Sequence, residues 1–147
     1  MIDNRPPVAR AGILRRQATF GASDGVTIVL GLLVSLTGQP HAMVRAAFAA
    51  GLAELVGMTA GQWLSDGESG FGAALMNGGA AFAACTIPAL PYLAASNWAA
   101  LATSLVLVAA VAGVISLLRP EKGLLALVQT YGILLVAAAV CAAASAL

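Results

Sequence analysis

The absence of charged residues over long stretches is the feature that most limits what this chain can fold into. No Asp, Glu, Lys or Arg occurs in the fifty residues 69–118 or in the last twenty-five, 123–147. A transmembrane helix needs about 20 consecutive apolar residues, so the first stretch allows two crossings and the second allows one. Only 9% of the residues are charged, against about 25% in a typical soluble domain. We therefore expect an integral membrane protein and neither an enzyme nor a nucleic-acid-binding protein.

Prolines and the few charges divide the chain into five predicted membrane helices. Pro88 and Pro91 separate the two crossings of the long stretch, because proline lacks the amide hydrogen that a helix interior needs. The turn Thr-Gly-Gln-Pro-His at 37–41 separates two earlier apolar runs. The sequence thus predicts a basic segment over residues 1–17 and an all-α transmembrane domain over residues 18–147. The predicted helices span 18–37, 42–65, 70–92, 97–118 and 123–145.

The basic residues predict how the protein is oriented. Six of the seven lie on the same side as the N-terminus in a five-helix topology, and only Arg45 lies on the other. Cytoplasmic segments of membrane proteins are enriched in Lys and Arg, so we expect a cytoplasmic N-terminus and an external C-terminus. The arginine-rich segment serves as a topological anchor or lies on the membrane surface, and it lacks the short apolar core of a signal peptide. The short loops and abundant alanine favour a bacterial inner membrane.

Two acidic residues, Asp24 and Glu54, fall inside predicted membrane helices. A carboxylate there costs at least a few kcal/mol, so each should face a partner, a cavity or an ion. Glu54, Met58 and Gln62 recur every four residues and share one helix face. Counted from the predicted cytoplasmic helix ends, Asp24 and Met58 lie at nearly the same depth and Glu54 lies one turn deeper.

This residue set is typical of a site for a divalent transition metal. Carboxylate and amide oxygens bind divalent ions, and the Met58 thioether favours iron-like metals over magnesium or calcium. A carboxylate in apolar surroundings also binds a proton readily, so Glu54 can exchange a proton for a metal ion. Asp24, Glu54, Met58 and Gln62 are therefore the candidate metal contacts. One chain supplies too few ligands for a closed site, whereas two chains meeting at a symmetric interface would supply enough.

Structural roles remain as alternatives for several of these residues. Asp24 can cap a kinked helix or pair with Arg15 or Arg16, Met58 can fill the core, and Gln62 and Asn77 can hydrogen-bond neighbouring helices. His41 is expected in a solvated turn, and both cysteines are expected to be small core residues: Cys85 and Cys141. The pairs Gly21-xxx-Gly25 and Gly57-xxx-Gly61 have the spacing that lets helices approach closely, and we interpret them as evidence of tight packing.

Three short motifs resemble those of the vacuolar iron transporter family. Phe-Gly-Ala-Ser-Asp-Gly at 20–25 is similar to the FGxxDG opening of its first helix. Ala-Gly-Leu-Ala at 50–53, followed by Met-Thr-Ala-Gly-Gln-Trp-Leu-Ser at 58–65, resembles its second-helix signature AGLA … SMAxGEYLS. Ile-Pro-Ala-Leu-Pro-Tyr at 87–92 resembles the IPLLPY end of its third helix. The order of the motifs, the five helices and the cytoplasmic N-terminus agree with that family.

The resemblance implies a proton-coupled homodimeric exporter of Fe2+, and often Mn2+, that serves iron homeostasis. It implies a pathway between the subunits, lined by the first two helices, and no prosthetic group. Asp24 matches the family's first-helix aspartate and Met58 its second-helix methionine, both metal contacts. Glu54 falls where some members carry an intramembrane glutamate.

Two departures from the family pattern concern the cytoplasmic side. Gln62 replaces the usual glutamate of the second-helix signature. The glutamate-rich metal-binding domain between the second and third helices is reduced to Asp-Gly-Glu-Ser-Gly at 66–70. We expect Asp66 and Glu68 to lie in a solvated turn, with a vestigial collecting site as the alternative. The ion-collecting function is therefore either absent or supplied by another chain, such as a ferritin-like partner.

The sequence therefore predicts a homodimeric exporter of Fe2+ or Mn2+ that exchanges the metal for protons. The first alternative is a non-transporting membrane scaffold or an anchor of an iron-storage complex, in which arginines pair with the two acids. The second is a transporter of a small organic cation, or of protons alone. No nucleophile–base pair supports a membrane hydrolase.

Overall fold

A computed structural model describes residues 6–65, 70–95, 98–119 and 123–145, and every regular element within these ranges is helical. The predicted all-α class is confirmed, and five helices within these ranges are long and apolar enough to cross a membrane, which matches the five predicted spans in number. The third span consists of α3, a 3-10 turn at Ile87–Ala89 and the short helix α4. The helices are α1 (Pro7–Ser35), α2 (Pro40–Ser65), α3 (Gly70–Thr86), α4 (Pro91–Ala94), α5 (Trp98–Leu118) and α6 (Leu124–Ser145).

The first helix begins at Pro7 and not at residue 18, so the predicted boundary is wrong by eleven residues. Pro6 and Pro7 lie at its N-terminus, where proline's missing amide hydrogen costs no hydrogen bond. No proline interrupts 8–35, so the arginines of this segment lie on a continuous helix. At 1.5 Å per residue, its 29 residues measure about 43 Å. That exceeds the hydrocarbon thickness of about 30 Å, so the helix is longer than a perpendicular crossing requires.

The other predicted breaks are confirmed in outline. The chain turns between α1 and α2 at 36–39, where Gly38 adopts a positive φ of 84°. Pro88 lies in the 3-10 turn and Pro91 begins α4, so α3 ends at Thr86 and the third span continues through an irregular stretch. Proline disrupts the regular helix here because it lacks an amide hydrogen and its ring clashes with the preceding turn.

Helix α3 lies at the centre of the bundle, with α1 and α2 packed against it. A Cβ atom at Gly21 or Gly25 of α1 would overlap a carbonyl oxygen of α3, so only glycine permits this approach. The α2–α3 contact includes two edge-to-face aromatic pairs, Phe48 with Phe82 and Trp63 with Phe71, with ring centroids 6.2 and 5.8 Å apart. Helices α5 and α6 pack against the other side of α1.

Candidate functional site

Asp24 and Glu54 lie at the same level of the bundle, because α1 and α2 pack against the same turn of α3. Gly25 on α1 and Gly51 on α2 both face the α3 turn at 81–86, which aligns their neighbours Asp24 and Glu54. The Asp24 carboxyl group is close enough to interact electrostatically with that of Glu54. The structure therefore brings together the two acids that the sequence singled out.

Glu54 is half-buried on α2, and both of its carboxylate oxygens are buried without a hydrogen-bond partner among the described residues. Its charged neighbour is Asp24, and the Cys85 thiol of α3 also lies within electrostatic range. Cys85 is fully buried and donates its S–H to the Ala47 carbonyl oxygen at 3.4 Å. Two like charges at close range in an apolar medium are strongly unfavourable. This pair therefore needs a bound proton or a bound cation.

Asp24 lies on the outer surface of α1 in a single chain, where its side chain is exposed. Phe20, one turn earlier on the same face, is 62% exposed. In a bilayer this surface faces either lipid or another protein. A carboxylate facing lipid would be costly, so the position of Asp24 favours a covering partner.

Met58 and Gln62 continue from Glu54 along α2, and both are half-buried. The α3 turn at 77–78 faces Gly21 of α1 and Thr59 of α2, so Met58 lies level with Gly21 and one turn away from Asp24. The predicted equal depth of Asp24 and Met58 is therefore wrong. It was counted from residue 18, whereas α1 begins at Pro7 and its vertical position is set by packing against α3.

An open apolar face of α2 lies beside this stripe of residues. Gly57 and Gly61 are exposed, and a Cβ atom added at either would have no neighbour within 4 Å. Val56 and Leu64 on the same helix are 67% and 80% exposed. Of the two predicted close-packing glycine pairs, Gly21-xxx-Gly25 packs within the chain and Gly57-xxx-Gly61 does not.

One chain alone does not assemble a group of three or more His, Cys, Asp or Glu side chains able to hold a metal ion, over the ranges that the structure describes. Asp24 and Glu54 supply carboxylate oxygens, and the Met58 thioether lies one turn away on the same helix as Glu54. A transition-metal ion bound there would need further ligands from water or from a second chain.

Several buried polar groups near the acids were not assigned a functional role from the sequence. The Thr59 hydroxyl and the Asn77 side-chain oxygen are buried and have no hydrogen-bond partner among the described residues. Asn77, only 2% exposed, was predicted to serve packing, and the α1 backbone approaches it at Gly21. The signal available in the sequence was a polar side chain, Asn77, within an otherwise alanine-rich helix. Asp66 and Glu68 lie outside the described residues.

Comparisons of the chain with protein-family models, with curated proteins and with solved structures found no match.

Proposed function

We propose that this protein is a homodimeric membrane transporter that exports Fe2+ or Mn2+ from the cytosol in exchange for protons. The observation that carries the proposal is the juxtaposition of Asp24 and Glu54 on α1 and α2, with unpartnered Glu54 oxygens beside an exposed Asp24. Two adjacent carboxyl groups in an apolar medium can hold either a divalent cation or protons, which is the requirement for exchange.

The homodimer is supported by the surfaces of α1 and α2. Asp24 is exposed on α1, and Gly57 and Gly61 leave the neighbouring face of α2 open to close approach by another helix. A second copy placed against this surface shields Asp24 from lipid and doubles the number of carboxylates and thioethers. Two copies then supply the ligands that one chain lacks.

The ion follows the polar stripe of α2 in this mechanism. It enters past Gln62 at the end of α2 and reaches Met58, whose thioether favours a transition metal. It then binds between Asp24 and Glu54, about 12 Å from Gln62 along the helix axis. Protons from the opposite side neutralise the carboxylates and release the metal. The inner-membrane location, the cytoplasmic N-terminus and the direction of export belong to this proposal.

The resemblance of three ordered motifs to the vacuolar iron transporter family supports the same function. The Asp24 motif lies on α1, the Met58 motif on α2, and the Ile-Pro-Ala-Leu-Pro-Tyr motif at the α3–α4 break. The charged group that acts on Glu54 is Asp24, and Glu54 makes no hydrogen bond to an arginine among the described residues. The scaffold alternative requires arginine partners for both acids.

The experiment is metal transport by purified protein in liposomes containing a Mn2+-sensitive dye and, separately, a pH-sensitive dye. Asp24→Asn and Glu54→Gln preserve side-chain size, and each is expected to reduce Mn2+ flux at least tenfold. His41→Gln is the matched control, because His41 is the chain's one histidine and lies outside the proposed path. This variant should transport Mn2+ at the parent rate. Size-exclusion profiles verify that all variants remain folded.

Two outcomes would contradict the proposal. If the parent protein moves no Mn2+ or Fe2+ in either direction, the scaffold alternative is favoured. If Asp24→Asn or Glu54→Gln transports at the parent rate, that residue has no role in the path. Mn2+ flux with no opposing proton movement would refute the exchange mechanism alone.

A further inference from the structure

A groove of about 540 Å3 opens between α1 and the α5–α6 pair. It lies at the end of the bundle where α1 begins, on the side of α1 that packs against α5 and α6. Arg15 and Arg16 of α1 line it together with Arg119, which follows the end of α5. These residues, about one hundred positions apart in sequence, converge because α1 begins and α5 ends at the same end of the bundle.

Among the residues that the structure describes, the charged residues that line the groove are all arginines. None of its lining residues within the described ranges is acidic. Arg15 and Arg16 are exposed, and the Arg119 guanidinium donates a hydrogen bond to the Thr130 hydroxyl at 3.4 Å. A guanidinium group remains charged in proteins, and its planar array of donors matches the oxygens of a phosphate. Arg15 and Arg16 therefore offer two such groups to an anion, and the Arg119 guanidinium also lines the groove.

Away from the arginines, the walls of the groove suit an acyl chain. The hydroxyls of Thr19, Ser23 and Thr27 on α1 donate hydrogen bonds of 2.8–2.9 Å to carbonyl oxygens four residues earlier. Because these donors are already satisfied within the helix, they do not require a polar group of the ligand. From Arg15 to Thr27 the groove runs about 18 Å along α1, close to the roughly 15 Å thickness of one hydrocarbon leaflet. Its apolar lining residues are Phe20, Val26, Ile115, Leu118, Ile133 and Leu134.

We propose that this groove is a binding site for one anionic phospholipid. The phosphate binds Arg15, Arg16 and Arg119, and an acyl chain lies along the apolar wall between α1 and α6. A basic pocket between transmembrane helices recognises lipid head groups in this way. The groove uses the α5–α6 side of α1 and not the open face of α2, and it borders the Asp24 surface at Phe20 and Ser23.

The test is native mass spectrometry of the purified protein after addition of equal amounts of phosphatidylglycerol and phosphatidylcholine. The parent is expected to retain phosphatidylglycerol at least tenfold over phosphatidylcholine. The double variant Arg15→Gln, Arg16→Gln and the single variant Arg119→Gln should each lose that preference. Arg45→Gln, at the opposite end of the bundle, is the matched control and should keep it.

Two further measurements test whether the groove binds a phospholipid. Replacing the groove arginines with lysine retains the charge, so Arg15→Lys, Arg16→Lys should recover at least part of the preference. Inorganic phosphate should not compete, because the apolar wall contributes to binding. The proposal is overturned if phosphatidylglycerol is retained no better than phosphatidylcholine, if Arg45→Gln loses the preference equally, or if phosphate alone displaces the lipid.

Discussion

The two glycine pairs permit a matched comparison, because only one of them packs within the chain. An added Cβ at Gly25 would overlap the Ala81 carbonyl oxygen and approach the Cys85 amide nitrogen to 3.0 Å. Both obstacles belong to the α3 backbone, which cannot rotate away as a flexible side chain would. Gly25→Ala therefore forces α1 and α3 apart, and overpacking of this kind costs about 1–3 kcal/mol.

The same substitution on α2 should have the opposite effect. A Cβ at Gly57 has no neighbour within 4 Å, and alanine is favoured over glycine in a helix interior by up to about 1 kcal/mol. In a single chain, at protein concentrations that keep the copies apart, Gly57→Ala is therefore expected to leave the free energy of unfolding unchanged or to raise it. The expected difference between the two variants is about 1–4 kcal/mol.

The assay is reversible unfolding in mixed micelles with increasing sodium dodecyl sulfate, followed by circular dichroism. Gly25→Ala should unfold at a clearly lower mole fraction of denaturing detergent than the parent protein, and Gly57→Ala should not. If Gly25→Ala is as stable as the parent, residue 25 does not pack closely against α3. If Gly57→Ala loses as much stability as Gly25→Ala, the two glycines have equivalent surroundings, contrary to the contacts described here.

Three further predictions concern other contacts of the bundle. Gly57→Leu should raise the dissociation constant of the dimer at least tenfold in analytical ultracentrifugation, since it fills the open face of α2; an unchanged constant would exclude this face as the interface. Tyr131→Phe removes a 2.8 Å hydrogen bond to the Ala109 carbonyl oxygen, so it should lower the free energy of unfolding by about 0.5–1 kcal/mol in the same micelle assay. No loss would contradict that contact. Cys85 is fully buried and Cys141 is partly accessible. Maleimide should therefore label Cys85 at least tenfold more slowly than Cys141 in the folded protein. Equal labelling rates would contradict the packing of α3.

The sequence predicted the spans because charge and proline act locally. The fifty uncharged residues 69–118, Gly38 and Pro88 identify crossings and breaks without knowledge of the tertiary structure. The start of α1 was predicted at residue 18 because its arginines suggested a separate segment. Arginine is compatible with a helix, however, so charge marks the limit of the apolar layer and not that of the helix.

The arrangement of the helices could not be predicted in the same way. Most of the circumference of each helix is apolar, so hydropathy does not distinguish a face that packs within the chain from one that faces lipid. This is why Gly21-xxx-Gly25 and Gly57-xxx-Gly61 looked equivalent. The alignment of Asp24 with Glu54 depends on how α1 and α2 pack against α3, and no local pattern records it. Spacing along α2 did place Met58 on the helix face of Glu54.

An anomalous diffraction map of the protein soaked with Mn2+ would show whether Asp24 and Glu54 hold the transported ion. We expect one strong manganese peak at the contact between two copies, within coordination distance of the Asp24 and Glu54 carboxylates. The peak should be lost in Asp24→Asn. A map without manganese at this position, or a dimer in which Asp24 faces lipid, would contradict the claim that these acids hold the transported ion.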